Sequence, residues 1–249
     1  MEAKDKIIVA LDVNTLEKAL GLVKELKDCV GCFKIGLQFI TAMLRSIIVP
    51  ITGREVTLIQ TLFNELDGNI MWDGKFDDIP NTVAGASQEV IKIGVKMFNL
   101  HASAGEEAIA KAVANKGKAL CLGVTVLTSI DEDECLSIFG DFPSYKVIQF
   151  ANMLVDKKAD GIICSPKELG VLSEENINLL KVTPGIRPKW AQTGDQKRVM
   201  TPYEAIKAGA DYLVIGRPIR EPPKEIGSPV EAAKNIAQEI EQALKEKGD

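Results

Sequence analysis

Asn69-Ile70-Met71-Trp72-Asp73-Gly74-Lys75-Phe76-Asp77-Asp78-Ile79-Pro80 is the stretch that decides the fold. It opens as a short apolar run, ends in charge, and passes at Pro80 into Val83 to Gly94, where apolar residues recur three and four apart. The apolar run suits a strand buried on both faces, and the spacing that follows suits a helix lying against it. Pro80 fits the first turn of that helix, where its missing N–H costs nothing.

Outward from this unit the same pattern repeats. Further apolar runs are Ile7 to Leu11, Cys32 to Ile35, Met97 to Leu100, Ala119 to Val124, Gly161 to Cys164, Lys181 to Thr183 and Tyr212 to Ile215. Amphipathic segments such as Thr15 to Leu26 and Glu106 to Ala114 lie between them, with Asn14 placed to cap the first. Strands alternating with helices imply parallel βαβ units, and eight of them close a (β/α)₈ TIM barrel. The length of 249 residues matches that fold, and no linker or low-complexity tract divides residues 1–249, so a single domain is expected. Residues 40–67 do not parse cleanly, because Pro50 and Gly53 interrupt a long apolar stretch; pattern alone also admits a doubly wound sheet. A weak echo links Ala159-Asp160-Gly161 with Ala210-Asp211-Tyr212, each reading as a helix end turning into a strand.

Composition narrows the function. Hydrophobic residues make up 46% and aromatics only 5%, the branched aliphatic bias of buried parallel strands. A net charge of −5, mixed in sign, argues against a nucleic-acid or anionic-membrane surface. There is no signal-peptide pattern and no apolar run long enough to span a membrane, so a soluble cytoplasmic protein is expected. Cys29 and Cys32 form a C-x-x-C, but with one histidine and no second such pair the ligands of a zinc site are missing. Metal chemistry built on Cys and His is not expected.

Charge that a packed core does not need gathers at the strand ends, where such barrels work. Asp12 follows the first strand, Lys34 lies in the second, and Asp73 and Lys75 close the third. Two apart on a strand, Asp73 and Lys75 are expected on one side, roughly 7 Å between Cα atoms. Spacing alone does not choose between a catalytic array and an ion-pair network closing the barrel mouth. After strands seven and eight come Pro184-Gly185-Ile186-Arg187-Pro188 and Ile215-Gly216-Arg217-Pro218, where these barrels often bind phosphate. Gly216 lets a ligand approach the backbone and the guanidiniums offer paired donors, which favours phosphate binding over surface turns. Trp190 to Thr201, containing Gly194, is long enough to close over a ligand. His101, the only histidine, is expected to support a neighbouring hydrogen-bond network.

With these residues in place, Asp73-Gly74-Lys75-Phe76-Asp77-Asp78-Ile79-Pro80-Asn81-Thr82 resembles the D-x-K-x-x-D-I-P-N-T signature of orotidine 5′-phosphate decarboxylases. Leu11-Asp12, Phe33-Lys34-Ile35-Gly36, Thr125-Val126-Leu127-Thr128-Ser129, the Arg187 block, Gly194-Asp195-Gln196 and the Arg217 block extend the resemblance in order over nearly the whole chain. D-x-K-x-x-D alone is shared with relatives that use magnesium and an enediolate; Ile79 to Thr82 and the Arg187 and Gln196 blocks speak against those. Trp72 and Gly74 replace more usual aliphatic neighbours.

The resemblance implies conversion of orotidine 5′-phosphate to UMP and carbon dioxide, the final step of de novo pyrimidine biosynthesis, without a cofactor. It implies a charged array of Lys34, Asp73, Lys75 and Asp78, with Asp12 on the ribose and Thr128 on the pyrimidine. Arg187, Gln196, Gly216 and Arg217 would gather round the phosphate, and Asp78 and Thr82 would come from the partner subunit of a homodimer. Lys75 would stabilise a carbanion at ring C6 and then protonate it. Repulsion of the substrate carboxylate by Asp73 at about 4 Å is worth about 4 kcal/mol at an effective dielectric near 20. Enzymes supply about 8–23 kcal/mol, so stabilisation of the carbanion is the larger contribution.

Overall fold

A computed structural model describes residues 1–48, 53–191 and 199–248. Eight parallel strands pair in sequence order and close, β1 against β8, into a barrel. They are β1 (Ile7–Ala10), β2 (Cys32–Gly36), β3 (Ile70–Phe76), β4 (Met97–His101), β5 (Leu120–Val124), β6 (Gly161–Ile163), β7 (Leu180–Thr183) and β8 (Tyr212–Ile215). Closure removes the doubly wound alternative, since an open sheet has two edge strands paired on one side only, whereas here β1 pairs with both β2 and β8. Around the strands, in chain order, run α1 (Leu16–Leu26), α2 (Leu37–Ile48), α3 (Gly53–Leu66), α4 (Pro80–Ile93), α5 (Glu106–Ala114), α6 (Glu132–Phe139), α7 (Pro143–Asp156), α8 (Leu169–Glu174), α9 (Pro202–Lys207), α10 (Arg217–Arg220) and α11 (Pro229–Gly248). None of the described helices is long and apolar enough to cross a membrane.

Strand periodicity sorts the apolar residues into two cores. Ile8, Ala10, Cys32, Met71, Met97, Leu122, Val182, Tyr212 and Val214 fill the barrel interior. Their neighbours, including Ile7, Val9, Phe33, Phe98 and Leu213, point outward against the helices. Alternation then aims Lys34, Asp73 and Asn99, each two residues beyond an interior residue, into the C-terminal mouth. Truncating an interior side chain such as Met97 to alanine costs about 2–5 kcal/mol, because closed walls cannot collapse onto the gap.

Local details differ from the sequence reading in instructive ways. Thr15, not Asn14, caps α1: its hydroxyl accepts from Lys18 N at 3.3 Å, and Leu16, Ala19, Val23 and Leu26 form the buried stripe. The stretch 40–67 resolves into α2 and α3, with 49–52 outside the described residues. Pro80 does start α4, which ends at the left-handed Gly94. The Asp160 and Asp211 echo has a cause. Each carboxylate accepts, at 2.8 Å, the backbone N–H of a residue beginning the preceding strand, Cys121 and Lys181 respectively.

Candidate active site

The mouth of the barrel is built from β1, β2, β3 and β4. Lys34 Nζ lies 3.0 Å from Asp12 Oδ1 and 3.1 Å from Asp73 Oδ2, and Lys75 Nζ lies 2.6 Å from Asp73 Oδ1. Carboxylate and ammonium therefore alternate along one row. Burial opposes the charge on Lys34, yet Asp73 and Asp12 outweigh it and hold its pKa above the ordinary value. Burial likewise opposes ionisation of Asp73, but Lys34, Lys75 and the hydrogen bonds from Lys75 and Asn99 keep its carboxyl below the usual range. Both are charged at neutral pH.

The route by which Lys75 reaches Asp73 is not simple alternation. Between Trp72 and Phe76, four residue steps on β3 oppose two on β4, Phe98 to Leu100. Lys75 sits in this bulge at φ 47°, a left-handed conformation rarely taken by a residue with a side chain. The bulge re-aims the lysine. Two glycines leave room for its neighbours: a Cβ at Gly36 would lie 2.5 Å from Lys34 Nζ, and one at Gly74 would lie 2.8 Å from Trp72 Nε1. The unusual Trp72 and Gly74 thus belong together.

Asn99, which the sequence reading passed over, is fully buried on β4. Its Nδ2 donates to Asp73 Oδ1 at 2.7 Å and its Oδ1 accepts from Lys75 N at 2.8 Å. A polar residue at an inward strand position was the available signal. His101, expected to buttress the network, makes no hydrogen bond to Asp73 or Lys75; burial lowers its pKa, with Asp77 opposing and Lys75 reinforcing the shift.

A cavity of about 180 Å³ opens on this row, lined by Lys34, Asp73, Lys75, Thr128, Ser165 and Pro184. A wider cleft of about 400 Å³ continues from Asp12 and Lys34 to Gly185, Arg187, Gly216, Arg217 and Arg220. Arg187 is not a surface residue: it is 8% exposed, its Nη1 donates to Ile186 O at 2.8 Å, and its Nε is buried with no partner among the described residues. Burial and the nearby Arg217 hold its pKa below the usual guanidinium value. Arg220, also missed from sequence, has a second buried Nε without a partner among the described residues. Protein packing does not require the glycine at 216, where a Cβ would meet nothing nearer than Ala10 at 3.7 Å.

Not every expected residue joins the cluster. Asp78 and Thr82 are exposed, and Asp78 Oδ1 accepts from the N–H of Ile79. Gln196 and Gly194 lie outside the described residues, as does most of the loop after Trp190. Cys32 is buried inside the barrel, where loss of solvation pushes its thiol up to about 12. Among the described residues, no three of His, Cys, Asp and Glu converge to hold a metal ion.

The arrangement is two fixed ammoniums beside a cavity that is continuous with an arginine-lined cleft. The chain is 42% identical to the orotidine 5′-phosphate decarboxylase of Moorella thermoacetica, over 97% of its own length and 94% of that protein. It is also 42% identical to that of Geotalea daltonii, covering 96% and 97% respectively. The crystal structure of orotidine 5′-phosphate decarboxylase from Lactobacillus acidophilus superposes with a TM-score of 0.72 at 30% identity, covering 94% of this chain and 98% of that one. The profile of the Orotidine 5'-phosphate decarboxylase / HUMPS family matches residues 5–236, and the chain belongs to that family.

Proposed function

We propose that this chain is a carboxy-lyase converting orotidine 5′-phosphate to UMP and carbon dioxide, acting as a single domain in the cytoplasm without a cofactor. The observation that carries this reading is the Lys34–Asp73–Lys75 row, with Asp73 bridging both ammoniums beside the cavity. Cleaving the bond from C6 to the carboxylate leaves the electron pair on C6. Lys75 stabilises that charge as it develops and then gives C6 a proton, so UMP forms and carbon dioxide departs. Asp73 orients Lys75 and disfavours the ground-state carboxylate. Lys34 and Asp12 take the ribose side, and Thr128, which lines the cavity, takes the pyrimidine.

The Nε atoms of Arg187 and Arg220, buried and without a partner among the described residues, support an anion in the wider cleft, with Gly216 and Arg217 at its edge. Gln196 belongs with them by family resemblance. Binding the phosphate far from C6 supplies energy for ordering the charged row. Asp78 and Thr82 complete the site of the partner subunit in a homodimer; their exposure, with Ile79 67% exposed between them, is consistent with that. The free thiols of Cys29, Cys32, Cys121 and Cys164 fit a reducing compartment.

The test is the absorbance change of orotidine 5′-phosphate with protein dialysed exhaustively against EDTA. Conversion to UMP is expected. No conversion with either EDTA or added magnesium would move the chain to the superfamily's enediolate chemistry, and tight UMP binding without turnover would make it a nucleotide sensor.

A further inference from the structure

We infer that Asn99 is a positioning residue for decarboxylation, holding Asp73 and Lys75 in one fixed relation; this rests on the function proposed above. Three observations carry it. The same Asp73 Oδ1 receives both the Asn99 amide, at 2.7 Å, and the Lys75 ammonium, at 2.6 Å. The other end of the Asn99 amide takes the Lys75 backbone N–H at 2.8 Å, at the residue whose φ is 47°. The β3–β4 ladder is interrupted there, so a side chain holds the Lys75 N–H across the gap in pairing. Asn99 is 0% exposed and faces inward, two residues beyond Met97.

The residue type matters. One end must donate to an ionised carboxylate and the other must accept from an amide N–H, at a spacing set by one planar group. Alanine and leucine do neither. A carboxylate accepts at both ends and repels Asp73. A carboxylic acid, however, reproduces the amide: its O–H donates to Asp73 and its carbonyl accepts from Lys75 N. Asn99→Asp is therefore a variant whose competence depends on a proton.

The groups facing position 99 fix the direction of that dependence. β3 presents Asp73 and Lys75, β2 presents Lys34 to Asp73, Asp12 lies beyond Lys34, and His101 follows on β4 itself. From β5, Leu122 stands opposite Asn99 and brings no charge. Asp73 favours keeping a shared proton between two adjacent carboxyls, while the ammoniums favour losing it. As pH rises the proton leaves and the clamp fails.

The experiment compares the unaltered chain, Asn99→Ala and Asn99→Asp for kcat and KM on orotidine 5′-phosphate, and for UMP affinity, from pH 5.5 to 8.5. Asn99→Ala is expected to lower kcat about 100-fold, the scale of a small misplacement of reacting groups, with UMP affinity changed less than about threefold. Asn99→Asp is expected to recover at the acid end, its kcat relative to the unaltered chain falling at least about tenfold toward pH 8.5. A kcat for Asn99→Ala within about threefold of normal overturns the role, as does an equal loss of UMP affinity and kcat or a flat Asn99→Asp ratio. Should Asn99→Ala fail to fold, the Asn99→Asp profile decides. No turnover by the unaltered chain overturns the functional reading itself, and the role of Asn99 with it.

Discussion

Lys75 Nζ and Asp73 Oδ1 meet at 2.6 Å across a β-bulge, with Lys75 held at φ 47°. The contact depends on an irregular backbone, so its geometry is carried by the surrounding structure and not by strand periodicity. Strain at this polar cluster fits the role proposed for Lys75.

If Lys75 is the proton donor, Lys75→Ala lowers decarboxylation by at least about a thousandfold, within the range for loss of a general acid. UMP affinity stays within about tenfold, because Lys75 does not line the arginine cleft proposed for the phosphate. Turnover and calorimetric titration with UMP read the two effects separately. Near-normal turnover would remove Lys75 from the chemistry.

Gly36→Ala places a methyl group 2.5 Å from the present position of Lys34 Nζ, and about 3.4–3.5 Å from Asp12 and Asp73. The flexible lysine gives way, not the barrel. Stability therefore falls by about 1 kcal/mol or less, whereas kcat falls about tenfold or more as the row is displaced. Urea unfolding and steady-state kinetics on one preparation check both.

Inorganic phosphate should raise the thermal midpoint of the unaltered chain by binding only the folded state. Arg187→Ala should abolish most of that shift, and Arg220→Ala should weaken it. Each lost charge-assisted hydrogen bond is worth about 1.5–3 kcal/mol, so KM for orotidine 5′-phosphate should rise about 10- to 100-fold with kcat changed less. Unchanged KM in both variants would place the phosphate elsewhere.

Stability should depend on pH through three groups. His101 is held below its ordinary value of 6.5, so the folded state resists its protonation and its contribution is lost as pH falls below about 6.5. His101→Gln should flatten the stability profile there. Asp73 sits below 3.8, so its contribution is complete above about pH 4 and lost in acid. Lys34 sits above 10.5, so its contribution is complete below that pH and lost above it. Chemical denaturation at half-unit pH steps measures all three.

The composite sites proposed for Asp78 and Thr82 make a mixing prediction. Lys75→Ala and Asp78→Ala, each inactive alone, should regain activity when unfolded and refolded together, to about a quarter of normal for random pairing in a two-fold dimer. A hybrid retains one site with both residues intact. No recovery, with dimers shown by sedimentation, would mean that Asp78 does not serve the neighbouring site.

The sequence by itself determined the repeating unit. Tyr212–Ile215 and Glu106–Ala114 form at the bounds their periodicity predicts, because apolar alternation and helical spacing are local properties of the chain. It also placed Asp12, Lys34, Asp73 and Lys75 at strand ends and, through the signature around them, pointed to the family. Only tertiary structure decided closure, since nothing in β1 announces that Ile8 pairs with Val214 two hundred residues later. The same holds for 40–67, where helix type emerges from packing against the barrel and not from a clean spacing. It holds for the chemistry of the mouth as well. Asn99 and Arg220 read as ordinary polar residues until β3 and β4 shift register and α10 turns back over the cleft. Convergence of side chains from separate strands is set by long-range pairing, and no local pattern encodes it.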